Sequence, residues 1–321
     1  MERFDNIPEM ALDWHRAGKG AALATVVETW GSAPRRVGSQ LAISGEGEIA
    51  GSVSGGCVEG AVVAEALDAI AAGKPIMLQY GVSDDDAFAV GLACGGTIRV
   101  LVEPVGRVLP EDLLADLVLA REARLPVAYI TGLEIERRLE REGHAERFRM
   151  DRSGFEEDGV SFVAIHNPPL RLVVVGAVHI AQALVPMARI AGYDPLLIDP
   201  RESFASAARF PGETVLQDWP DEGVRVFGLD ARTALVLLTH DPKLDDPALI
   251  EALRSDVFYI GALGSTRTHA KRAARLTEAG FSEAEISRIH GPIGLDIGAA
   301  GPSEIAVSIL AEMTRVLRKG V

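Results

Sequence analysis

The sequence predicts an α/β protein of two domains: a mixed α/β domain followed by a Rossmann-like, doubly wound parallel sheet. Three observations carry this expectation. The length, 321 residues, suits roughly two domains at about 100–200 residues each. The apolar strand starting at Leu170 runs through Gly176 into a helical pattern, and further short apolar runs follow at 195–199, 215–216, 234–239 and 257–261. Such strands, each ending in polar material, are the pattern of an open parallel sheet. Between the halves, Asn167-Pro168-Pro169 is a linker signal, and the expected domains are 1–166 and 170–321.

Composition narrows the function. Hydrophobic content of 48% and charged content of 24% belong to an ordinary globular protein. Lys and Arg number 32 against 46 Asp and Glu, a net charge of −14, which argues against a nucleic-acid surface. An aromatic content of 5% argues against base-stacking platforms. Met1-Glu-Arg-Phe-Asp5 is too polar to open a signal peptide, and no apolar run reaches the ~20 residues of a membrane helix. Two cysteines make no disulfide framework, so the expected compartment is the cytoplasm with both thiols reduced.

In the first half, Pro8–Ala17 reads as an amphipathic helix and 21–28 as a buried strand. A loop with adjacent arginines, Arg35 and Arg36, leads to a hairpin at 40–44 and 48–50. Guanidinium forks at such a place suit phosphate or carboxylate oxygens. Then comes Gly51-Ser-Val-Ser54-Gly55-Gly56-Cys57-Val-Glu59, followed by apolar residues at helical spacing as far as Gly73. Cys57 therefore lies at a helix start, where unpaired amides and the helix dipole favour anions. An echo, Cys94-Gly95-Gly96, precedes the strand 97–103. The acidic turn Ser83–Asp86 lacks the spaced ligands of a calcium loop. A strand at 76–79, a helix at 110–121 and strands at 127–131 and 161–166 complete the half. The charged run 134–152 reads as solvated hairpin faces.

In the second half, Gly176-Ala-Val178-His179 opens a helix in which Pro186 is expected to cause a kink or a displaced start. Asp199 follows Gly176 at the spacing of a ribose-binding acid, but Val178 stands where the second fingerprint glycine would. Gly264-Ser265 with Arg267 is a candidate phosphate loop, and a final helix is expected from Pro302 to about Arg318.

Together these motifs resemble the XdhC/CoxI family: Glu28-Thr-Trp-Gly-Ser-Ala-Pro-Arg35, the Gly51–Glu59 run, Cys94-Gly-Gly96 and Val102-Glu-Pro104 in the first half. In the second half they are Val175-Gly-Ala-Val-His179, Asp199-Pro-Arg201, Ile260-Gly-Ala-Leu-Gly264-Ser and Gly291-Pro-Ile-Gly-Leu-Asp296. The resemblance spans nearly the whole chain. It implies a non-catalytic accessory protein that transiently binds the molybdenum cofactor (molybdopterin), supports its sulfuration and hands it to apo xanthine dehydrogenase or a related molybdenum hydroxylase. A cysteine desulfurase or sulfurtransferase is the further partner expected, and a homodimer is left open. On this reading Cys57 and Cys94 are the soft ligands to the metal or carriers of a persulfide. Arg35, Arg36, Ser54, Gly55, Gly56, Gly95 and Gly96 contact the cofactor, while Gly176, His179, Asp199, Gly264 and Ser265 form the Rossmann-side contacts. The rival expectation is an NAD(P)-dependent oxidoreductase, which Val178 weakens.

Overall fold

The computed structural model describes residues 6–31, 35–81 and 96–320. The chain divides into two compact units, Met1–Pro168 and Pro169–Val321. The Ser83–Asp86 turn, Cys94 and Gly95 lie outside the described residues.

The first unit runs α1 (Ile7–Arg16), β1 (Ala21–Trp30), β2 (Gln40–Ser44), β3 (Ile49–Gly51), α2 (Glu59–Ala72), β4 (Ile76–Tyr80) and β5 (Thr97–Pro104). It continues with α3 (Glu111–Glu122), β6 (Val127–Thr131), β7 (Arg138–Glu140), α4 (Ala145–Met150), β8 (Gly154–Phe155) and β9 (Phe162–His166). One sheet has the order β3-β2-β1-β5-β4, and all its neighbours are antiparallel. β1 is central and buried on both faces, so it reads as a continuous apolar run. Its Ala22, Ala24 and Val26 meet Val58, Val62 and Ala66 of the α2 segment, while Leu23 and Val27 face the core shared with α1 and α3. α2 ends at Gly73 in a left-handed conformation (φ 64°), as the glycine predicts.

A smaller sheet, β7-β6-β9-β8, contributes Tyr129 and Phe162 to the same core. A fully buried carboxylate links the two sheets: Glu103 Oε1 accepts from Tyr129 Oη at 3.0 Å, Thr131 Oγ1 at 2.6 Å and Arg137 Nε at 3.0 Å. The charged run 134–152 departs from expectation by including the short helix α4, whose Phe148 packs on Ala128, Ile130 and Val163.

The second unit runs β10 (Leu170–Val175), α5 (His179–Ile190), β11 (Tyr193–Ile198), β12 (Val215–Leu216), α6 (Pro220–Phe227) and β13 (Thr233–Leu237). Then follow α7 (Pro242–Leu253), β14 (Tyr259–Ala262), α8 (Thr266–Glu278), α9 (Glu283–Ile286), β15 (Ile289–His290) and α10 (Pro302–Lys319). All six strands are parallel in the order β12-β11-β10-β13-β14-β15. The order reverses between β10 and β13, the switch point of a Rossmann sheet. Leu172 and Val174 face α5 and α10, whereas Val173 and Val175 face α6 and α7, the period-2 alternation of a sheet covered on both sides. Pro186 lies inside α5 and does not displace its start, since the helix opens at His179 and continues to Ile190.

Candidate functional site

The hairpin β2–β3 delivers the chain to the glycine loop. Gly51 ends β3 at φ 92°, and Gly55 and Gly56 follow at 77° and 110°, conformations that residues with a Cβ rarely adopt. α2 begins only at Glu59, and its N-cap, Val58, offers no side-chain cap. Glu59, the first residue of α2, folds back over the loop instead. Its Oε1 accepts from Ser52 Oγ (2.6 Å), the Val53 amide (3.1 Å) and the Ser54 amide (2.9 Å). Its Oε2 accepts from Ser54 Oγ and from the Gly56 amide (2.9 Å). Two further loop donors stay internal as well: the Gly55 amide donates to Ser52 Oγ at 2.8 Å and the Val58 amide to Ser54 Oγ at 2.9 Å.

This arrangement redistributes the expected roles. Ser54 is fully buried and its hydroxyl is engaged inside the loop, so its side chain supports the loop. Cys57 is exposed with a free thiol. Arg35 donates from Nε to the Ser52 carbonyl at 3.2 Å. It lines a pocket of about 480 Å³ together with Ile49, Gly51, Ser52, Gly55, Gly56 and Glu59. Arg36 is exposed and is not among those lining residues. Gly96 is buried just before β5. A larger pocket of about 720 Å³ near β7, α4 and β8 holds Arg138, His144 and Arg152. Its arginines, Arg147 included, are paired with Glu140, Glu156 and Glu146, which makes it a poorer anion site.

Burial pushes the Glu59 carboxyl up, but the Ser52 and Ser54 hydroxyls and the loop amides outweigh burial and hold it at about 2. A depressed carboxyl stabilises the fold fully above its ordinary value of 4.5 and loses that contribution as pH falls toward 2. The Ser54 and Gly56 amide proton shifts are therefore expected to titrate near pH 2 and not near pH 4.5, as an NMR titration can check.

In the second unit, Gly176 leaves β10 at φ 109°, and a Cβ there would lie 2.7 Å from Thr239 Cγ2. His179 is exposed as the first residue of α5. Asp199 is wholly buried. Its Oδ2 accepts from the Ala177 amide at 2.8 Å and Arg201 Nη2 at 2.7 Å. Its Oδ1 accepts from the Arg201 amide at 3.0 Å and Arg201 Nε at 2.8 Å. Burial raises the Asp199 carboxyl, and Arg201 with the two amides more than reverses this, leaving it below its usual range. Both oxygens carry two donors from the chain itself, and through the Ala177 amide Asp199 braces the Gly176 turn. Arg201 lies over the Phe204 ring at 4.0 Å. After β14, Gly264 has φ 141°, and Ser265 caps α8 by accepting from the Thr268 amide at 3.2 Å. At the same sheet edge His240 follows β13 at φ 62°, an uncommon conformation for a residue other than glycine.

The structure thus brings Arg35, Gly55 and Gly56 together around one pocket beside Cys57, and gathers Gly176 and Asp199 at a separate turn. Among the described residues no group of three or more His, Cys, Asp or Glu side chains is arranged to hold a metal ion, and no helix is long and apolar enough to cross a membrane. Glu59 is the residue whose role the sequence reading missed. As the first residue of α2 it stands too early in the helix for a capping-box signal.

Residues 14–81 match the family model described as the XdhC and CoxI family, and residues 172–313 match that of the XdhC Rossmann domain. The chain is also 34% identical over 315 residues to the molybdenum cofactor insertion chaperone PaoD of Escherichia coli K12, covering 97% of this chain and 87% of that protein. The chain belongs to the XdhC/CoxI family. Another relative, from Bacillus subtilis 168, is named as a probable xanthine dehydrogenase subunit; it is 27% identical over 320 residues, 93% of this chain and 94% of that one. A crystal structure described as a xanthine dehydrogenase from Bacillus halodurans is similar at a TM-score of 0.69 with 25% identity, covering 97% of this chain and 96% of that one. The XdhC/CoxI match takes in the whole Arg35–Glu59 stretch, and the XdhC Rossmann match takes in the Gly176 and Asp199 turn.

Proposed function

We propose that this protein binds the molybdenum cofactor transiently, supports its sulfuration and delivers it to an apo molybdenum hydroxylase such as xanthine dehydrogenase. The observation that carries the reading is the exposed Cys57 thiol, presented by a glycine loop beside the Arg35-lined pocket. It lies in the segment matching the XdhC and CoxI family model. The similarity to an insertion chaperone supports the same role.

A thiolate at Cys57 is a soft donor suited to molybdenum, or to carrying a sulfane sulfur supplied by a cysteine desulfurase. In this reading Arg35 meets the cofactor's phosphate, since a guanidinium fork matches its oxygens. Gly55 and Gly56, without side chains, let a bulky pterin come close to the loop. Cys94 and Gly95 are the further cofactor contacts that the family resemblance implies. In this role the protein is a carrier and the acceptor enzyme performs the turnover.

The test is to purify the protein from a molybdenum-replete host and measure bound molybdenum and oxidised-pterin fluorescence. Cys57→Ala and Cys94→Ala are each expected to reduce cofactor content about tenfold or more, the scale of losing a metal-site group. Wild-type cofactor content in both variants would end the proposal.

A further inference from the structure

We propose that Glu59 is a positioning residue for Cys57: its carboxylate is the resident anion of the 52–58 loop and fixes the direction in which the thiol is presented. A glutamate in a capping box satisfies a backbone amide at the N-cap. Glu59 satisfies three amides and two hydroxyls at once. Those donors fill both oxygens, so Glu59 acts through the loop and not on a ligand.

Cys57 is held from both sides by the same group. The Gly56 amide before it donates to Glu59 Oε2 at 2.9 Å. The Val58 amide after it donates to Ser54 Oγ at 2.9 Å, and that hydroxyl donates in turn to Glu59 Oε2. The Val58 side chain is fully buried, so the backbone on that side is anchored twice. Between two fixed neighbours, the exposed Cys57 side chain projects from a preorganised backbone.

A second consequence concerns ligand chemistry. The Val53, Ser54 and Gly56 amides are those a glycine loop at a helix start would offer to a phosphate. With Glu59 in place they are satisfied, and recognition of an anionic group falls to Arg35. The loop therefore serves as a platform for the thiol, with these three amides closed to a ligand.

The test uses the full-length protein with Glu59→Gln, which keeps the size and removes the charge. Amide exchange at Val53, Ser54 and Gly56 is expected to accelerate about tenfold or more, while exchange in the interior of α2 stays as in wild type. Alkylation of Cys57 by iodoacetamide, mapped on its peptide, is expected to change about threefold or more. Ser54→Ala should move both readouts in the same direction, and the double variant should be non-additive because both act through one carboxylate. A loss of global stability alone would shift the thermal midpoint without this local pattern. Wild-type exchange at the three amides, or wild-type alkylation of Cys57, overturns the proposal. If Glu59→Gln does not fold, the same two readouts on Ser54→Ala decide it.

The functional importance of this positioning rests on the cofactor reading above, whereas exchange and alkylation are measured without cofactor. Failure there counts against Glu59 alone. Undiminished cofactor in Cys57→Ala and Cys94→Ala counts against the cofactor reading alone.

Discussion

Asp245→Ala is expected to lower the stability of the second unit by about 3–5 kcal/mol, the scale of leaving one member of a buried ion pair without its partner. For a domain of this size that is a fall of about 10 °C in the thermal midpoint. Asp245 and Arg272 are each only 2% exposed, and Arg272 Nη2 lies 3.4 Å from Asp245 Oδ2. Arg272 Nη2 also donates to the Leu263 carbonyl at 3.1 Å, while its Nε and Nη1 find no hydrogen-bond partner. Burial pushes the Asp245 carboxyl above its usual range despite Thr239 and Arg272, which marks a pair whose desolvation is incompletely offset.

The loss should reach the Gly176 turn as well. Thr239 Oγ1 donates to Asp245 Oδ1 at 2.5 Å, and the Thr239 methyl group occupies the space a Cβ on Gly176 would need. Calorimetry of Asp245→Ala against Asp245→Leu with Arg272→Met separates the contributions. The apolar double variant removes both charges and should recover most of the stability, because well-packed apolar substitutes often match a buried pair. If Asp245→Ala melts with the wild type, the pair is not a support of the sheet edge.

The second unit shows why some of its helices escape a sequence pattern. α10 is legible because Pro302 and Glu304 mark its start and its buried residues, from Ala306 to Leu317, recur at helical spacing. α8 buries only Arg272 and Leu276, and the first of these is a charge that no hydrophobic template counts. α7 carries Pro247 within its span, which reads as a breaker. At the turn after β11 the spacing from Gly176 to Asp199 was legible. Its use was not, because the partner is Arg201, two residues on. The same holds in the first unit. The glycines marked the Cys57 loop, but a glutamate opening a helix ordinarily reads as a solvated dipole partner. Only the folded loop turns Glu59 inward.

Gly51 and Gly56 give a paired test of that loop, since both line the same pocket and both have positive φ. At Gly56 a Cβ would meet nothing within 4 Å, so Gly56→Ala carries only backbone strain, about 1–2 kcal/mol. At Gly51 a Cβ would lie 2.5 Å from the Gln40 carbonyl oxygen and 2.7 Å from Ile7 Cδ1. Ile7 is the end of a side chain and can shift. The Gln40 carbonyl cannot, because it accepts the Ser52 amide at 3.0 Å within the β2–β3 pairing. Gly51→Ala must therefore break that hydrogen bond or part the hairpin, and a loss of about 3–4 kcal/mol is expected. The predicted order in thermal denaturation is wild type, then Gly56→Ala, then Gly51→Ala well below. Bound cofactor should follow a different order. Gly56 adjoins Cys57, and a methyl group there intrudes on the space left for a pterin, so Gly56→Ala should lose cofactor while remaining largely folded. Equal melting of the two variants would show that the hairpin does not hold the loop. Full cofactor in Gly56→Ala would place the ligand away from this face of the loop.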